Sequence, residues 1–245
     1  MKRSASRLAV VAVSAAGLSI LGLLTFLRFS PTEPPSSPVL AETLKPGELE
    51  TMKANGEKGD RSAATRLGKF YVLGQAGRID YTQAAKWYRL AADHGDPEAQ
   101  DAMGDLYEAG QGVTQNRIEA ARWYGLAATQ GLAQAQYNLA VVYQFGRGVQ
   151  ANPVEATKWC RLAAEQGDAW AEFSLGQRYD TGTGVPQDRV EALKWLSLAA
   201  NQRLSGAPEA RDQIKNQLSS AQISEAAQRA KTFVPHQGAP SPPAH

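Results

Sequence analysis

A stretch of 36 residues recurs along this chain, and the recurrence limits what it can fold into. Asn116 to Gly131 reads NRIEAARWYGLAATQG; one period earlier the chain reads DYTQAAKWYRLAADHG from Asp80. The later copies are NPVEATKWCRLAAEQG from Asn152 and DRVEALKWLSLAANQR from Asp188. Trp87, Trp123, Trp159 and Trp195 keep the register without error, as do Leu90, Leu126, Leu162 and Leu198. A fixed period of this size is the mark of a solenoid, because one unit cannot bury its apolar face until a neighbour stacks on it.

Each copy predicts a helix. Asp80, Asn116, Asn152 and Asp188 stand where a side-chain oxygen accepts from the free N–H groups of a first turn. Gln83, Glu119, Glu155 and Glu191 follow three residues later, a pattern like the capping box. Apolar positions 120, 123, 127 and 128 follow the 3.6-residue spacing of a buried helix face. Gly95, Gly131 and Gly167 supply the left-handed stop. Arg203 replaces the glycine in the fourth copy, so that end is expected to be less regular.

A second ladder precedes each copy and predicts a partner helix: Ala63, Ala99, Ala135 and Ala171, then Tyr71, Tyr107, Tyr143 and Tyr179. Gly68, Gly104, Ala140 and Gly176 keep one position small, which allows close helix approach. Glycine-rich turns such as GQGVTQN at 110–116 join the two helices.

The pattern A-x-x-x-L-G-x-x-Y-x-x-G-x-G-V followed by A-x-x-W-Y-x-x-A-A-x-Q-G is met nearly in full by residues 99–131. It resembles the Sel-one-like repeat family, a relative of the tetratricopeptide repeats, and the match covers roughly 59–203. The resemblance implies an all-α fold, a right-handed α-solenoid of antiparallel helix pairs. It also implies an adaptor that holds other proteins on a concave face, and no residue motif adds a cofactor or metal.

The flanks divide the chain further. Lys2, Arg3 and Arg7 precede Leu8–Leu27, a run without charge, and Arg28 closes it. Twenty such residues make about 30 Å of helix, the thickness of a bilayer core. Residues 1–28 are therefore expected to be a transmembrane signal-anchor. The basic flank places the N-terminus in the cytoplasm and the repeats in the periplasm or otherwise outside the cell. Secretion after signal cleavage, at Val39-Leu40-Ala41, is the rival. Residues 29–46, with five prolines, read as a spacer. The solenoid is expected over 47–232: 47–58 as an N-terminal cap, four full repeats, then closing helices at 207–218 and 220–231. The tail from 233 to 245 is expected to be disordered.

Composition narrows the function. A net charge of +2 carries no nucleic-acid footprint. The single cysteine, Cys160, occupies the slot of Tyr88 and Tyr124 and reads as a packing residue. The three histidines form no metal motif, and phosphate-loop, nucleophile-elbow and β-lactamase motifs are absent from the sequence. A cell-envelope enzyme acting on peptidoglycan or β-lactams is the alternative to an adaptor.

Differences between the repeats point to a partner site. At 100° per residue, Glu98, Asp101, Asp105 and Glu108 share the side of their helix away from the repeated core. The corresponding side carries Tyr137 in the third repeat and Trp170 with Phe173 in the fourth. Trp170 is the one tryptophan off the ladder. Exposed aromatics beside an acidic stripe predict a groove for a basic or amphipathic protein segment. The competing expectation is that Trp170 and Phe173 pack on the adjoining repeat. Basic residues Lys86, Arg122, Lys158 and Lys194 read as a solvated outer face paired with the acids three residues before them.

Overall fold

The computed structural model describes residues 47–236. The expected anchor at 1–28, the spacer at 29–46 and the end of the tail at 237–245 lie outside the described residues. Among the described residues there are eleven α-helices and no strand, and no helix is long and apolar enough to cross a membrane.

The helices are α1 (Glu48–Glu57), α2 (Arg61–Val72), α3 (Tyr81–Asp93), α4 (Pro97–Ala109), α5 (Arg117–Thr129), α6 (Ala133–Phe145), α7 (Pro153–Glu165), α8 (Ala169–Thr181), α9 (Arg189–Asn201), α10 (Ala207–Lys215) and α11 (Ser220–Thr232). The pairs α2–α3, α4–α5, α6–α7 and α8–α9 are the four repeats. Each second helix also packs on the first helix of the next pair, so one core runs through the stack.

Caps at the second helices form as expected. Asp80, Asn116, Asn152 and Asp188 accept from backbone N–H groups of the first turn. The other arm of the capping box is not made there. Glu119, Glu155 and Glu191 turn instead to the cations one turn on, Arg122, Lys158 and Lys194. Only Ser219 and Gln222, at α11, close a reciprocal box among the described helices. First helices are capped as well, by Asp60, Asp96 and Asp168; Leu132 makes no such bond at α6.

The helices of a pair fit by trading size. A side chain built on Gly104 would meet the Tyr124 ring at 2.5 Å, and one on Gly68 would meet Tyr88 at 2.5 Å. In the third repeat the small residue becomes Ala140 and the large one becomes Cys160, which is fully buried. Volume is thus redistributed across the contact, as close packing requires. The Cys160 thiol donates to the Ala171 carbonyl at 3.3 Å, and burial pushes its pKa up. It is a core residue without thiolate character.

Arg203 holds a left-handed backbone, φ 61°, the same turn that Gly95, Gly131 and Gly167 make at 83°, 88° and 85°. The expected irregularity is therefore corrected: the stop keeps its shape, and the arginine bears the strain of that region. Arg203→Gly should raise stability by about 1 kcal/mol in denaturant melts.

The C-terminal end departs from the repeat. Helix α11 packs against α9, and Arg229 bonds both Glu191 of α9 and Glu225. Beyond it, Phe233 meets Trp195 edge-on at 5.2 Å, and the His236 N–H donates to the Glu165 carbonyl at 2.9 Å. The first four residues of the tail expected to be disordered are therefore seated on the solenoid. An aromatic ring and a backbone N–H find partners there.

Candidate partner-binding face

Successive first helices are tied directly to one another. The Lys69 ammonium meets Glu98 at 2.5 Å, the Asn138 amide donates to Asp101 at 2.9 Å, and Arg178 donates to the Gln144 side chain at 2.5 Å. These bonds join α2 to α4, α4 to α6, and α6 to α8. The predicted site residues lie on this side of α4, α6 and α8.

The acidic residues share one face, as their spacing implies, but they do not form an open negative stripe. Each is engaged by its own chain. Glu98 has Lys69; Asp101 is buried beside Asn138; Asp105 accepts from the Tyr124 hydroxyl at 2.7 Å. Glu108 lies 3.4 Å from Arg117 and 3.6 Å from Arg147 in the next repeat's turn. Ion pairs at such half-exposed sites are worth at most about 1 kcal/mol each. Their effect is to hold repeats in register, while the Oε2 of Glu108 stays buried without a hydrogen-bond partner.

The aromatics divide in the same way. Tyr137 is 4% exposed and Phe173 is 5% exposed, so both belong to the packing between repeats rather than to an exposed surface. Trp170 is half-buried and remains the aromatic of the predicted set that keeps a solvent-facing edge. The signal that separates these three was not in the helical angle. It lies in which neighbouring repeat covers each ring.

A polar ladder that the sequence reading missed runs through the second, third and fourth pairs and ties the second and third to the pair before. Gln100 and Gln136 donate to the Ala92 and Ala128 carbonyls, and each accepts from a glutamine at the end of its partner helix, Gln130 and Gln166. The 36-residue register carries a carboxyl, Glu172, to the same place in the fourth repeat, where Gln202 donates to it at 2.9 Å. Glu172 is 1% exposed, and burial raises its pKa to about 7. The folded state then holds a proton that an unfolded glutamate has released. Its contribution to stability is full below about pH 4.5, is lost as pH rises toward 7, and stays lost above. With each pKa unit worth about 1.4 kcal/mol, Glu172→Gln should stabilise the protein at pH 8 by about 1–3 kcal/mol. The same change should have little effect at pH 4.5. Urea melts at the two pH values measure this, and an equal effect at both would contradict it.

Among the described residues no group of three or more His, Cys, Asp or Glu side chains is arranged to hold a metal ion.

The family model for the Sel1 repeat matches residues 61–96, 97–132, 133–168 and 171–204, together more than half of the 245-residue chain. These segments coincide with the four helix pairs. A solved Sel1 repeat protein from Oxalobacter formigenes is 32% identical over 68% of this chain and 49% of its own, with a TM-score of 0.62. A protective antigen of uropathogenic Escherichia coli strains, which displays an SLR fold, is 27% identical over 76% of this chain and 48% of its own, with a TM-score of 0.52. The chain thus spans about half the length of each of these two structures. Among curated proteins none matches. By its four registered repeats and their agreement with the family model, this chain belongs to the Sel1 repeat family.

Proposed function

We propose that this chain is a protein-interaction scaffold, tethered to a cell membrane by residues 8–27, with its repeats on the non-cytoplasmic side. No catalytic step is assigned to it. The observation that carries the reading is the stack itself. First helices α2, α4, α6 and α8 are bonded to one another in register, and they present a run of non-identical side chains along one side. Such a surface meets an extended protein segment at several points at once. Trp170 is the aromatic anchor of this reading, since a half-buried tryptophan offers a partner a large area at small cost in lost side-chain freedom.

With a partner obtained by pull-down, Trp170→Ala should weaken binding by about 2 kcal/mol or more through faster dissociation, leaving the melting midpoint nearly unchanged. Unfolding of the fourth repeat instead would make Trp170 a core residue and remove the anchor. Asp101→Lys should act differently: it breaks the bond to Asn138 and so should lower stability.

The tether rests on the uncharged run after Lys2, Arg3 and Arg7. Full-length protein should stay with membranes after alkaline washing, and a C-terminal reporter should be active only outside the cytoplasm. A soluble mature form starting at Glu42 would contradict the tether.

A further inference from the structure

One rung of the 36-residue ladder changes chemistry in the middle of the stack. Lys53, Arg89, Gly125 and Arg161 are equivalent positions, and the tyrosines they face are Tyr71, Tyr107, Tyr143 and Tyr179. Arg89 shows what the position does. Its guanidinium carbon lies 5.6 Å from the centre of the Tyr107 ring and 5.0 Å from that of Trp123, and it donates to the Tyr107 hydroxyl. Arg161 lies 5.6 Å over Tyr179. Lys53 is bonded to Glu50 at 2.8 Å. A cation from the preceding repeat thus faces the tyrosine at two of four junctions, and a third carries a lysine in the same register.

At the remaining junction the cation is gone. Gly125 is an ordinary helical glycine, and a side chain built on it would meet nothing within 4 Å. Packing therefore does not require glycine there, and a mid-helix glycine costs about 1 kcal/mol relative to alanine. Tyr143 is partly exposed, as Tyr107 is. Trp159 is 8% exposed against 2% for Trp123. Trp123 is also covered by Arg122 at 4.1 Å. The corresponding Lys158 bonds Glu155 at 2.6 Å, and among the described residues no cation stacks on Trp159.

We infer that the notch between Gly125, Tyr143 and Trp159 is a binding point for an arginine side chain supplied by a partner protein. The occupant would take the place that Arg89 fills one repeat earlier, with its guanidinium against the two rings and a donor at the Tyr143 hydroxyl. Arginine suits the site better than lysine, since its planar fork stacks on a ring face and still donates in its own plane. The neighbouring cations do not oppose it: Lys158 is paired with Glu155, and Arg147 lies 3.6 Å from Glu108. The inference rests on the scaffold reading and names the chemistry of one contact point on it.

The test uses full-length protein in detergent, with acetyl-Gly-Arg-Gly-amide as probe and the uncharged citrulline peptide as its match. The tryptophan indole N–H signals are followed by NMR. The arginine peptide should move the Trp159 signal and leave Trp123 in place, with the citrulline peptide at least tenfold weaker. Gly125→Arg, which fills the notch from within, should abolish the response, while Gly125→Ala should keep it. Tyr143→Leu leaves the helix intact and should weaken the arginine peptide at least fivefold. No movement of Trp159, equal movement with citrulline, or an undiminished response in Gly125→Arg would overturn the notch. A partner that still binds at the Trp170 face after that result would leave the scaffold reading standing, so the two failures are distinguishable.

Discussion

Trp123→Ala should destabilise the protein by about 3–5 kcal/mol, the usual range for deleting a buried aromatic. Trp123 is 2% exposed and sits where the second repeat meets the first. Its ring is flanked by Arg89 from α3 and Arg122 from α5. Removing it opens a cavity and strips Arg89 of one of its two stacking partners. Stability in a solenoid is carried by contacts between neighbours, so the loss should not stay within one repeat. Hydrogen exchange should show weaker protection in α3 and α4 as well as in α5. A loss below about 1 kcal/mol in denaturant melts would mean that the tryptophan ladder is not core.

Gly148→Ala should be comparably damaging, by about 3 kcal/mol or more, for a different reason. Gly148 is the second glycine of the G-x-G-V turn, with φ 78°. A Cβ there would lie 2.2 Å from the Arg117 carbonyl oxygen and 2.4 Å from its carbon. These are backbone atoms at the start of the preceding repeat's second helix, so no rotamer change relieves the clash. The turn and the stacking contact are thus the same feature. Gly125→Ala is the matched control. It sits in open space within a helix, so alanine should stabilise the protein by about 0.5–1 kcal/mol. Paired thermal and urea melts should give the two substitutions opposite signs. Equal small effects would show that the turn does not make the predicted contact.

The helix pairs were legible because periodicity reports burial. Trp123, Ala127 and Ala128 recur at helical spacing, and all three are buried. The caps were legible because capping is local: Asn116 acts on residues two and three positions on. The partner face was legible only in part. Helical geometry places Glu98, Asp101, Asp105 and Glu108 on one side of α4. It does not reveal that Lys69, Asn138, Tyr124, Arg117 and Arg147 already engage them, since those groups come from other helices and turns. Phe173 was misplaced for the same reason: an angle on one helix does not tell which ring a neighbouring repeat covers. Gly125 was visible in the ladder from the start. It acquires meaning only when Arg89 is seen stacked on two rings whose counterparts lack a cation.

The side of the stack carrying Trp170 should hold a protein. A photo-crosslinking residue placed in turn at Gln134 of α6 and Gln177 of α8 tests it most directly in living cells, with the exposed Lys86 of α3 as the control position. One discrete protein adduct is expected, the same from both test positions, absent from Lys86 and lost when Trp170→Ala is combined with either. No adduct from either position in protein that remains folded would contradict it.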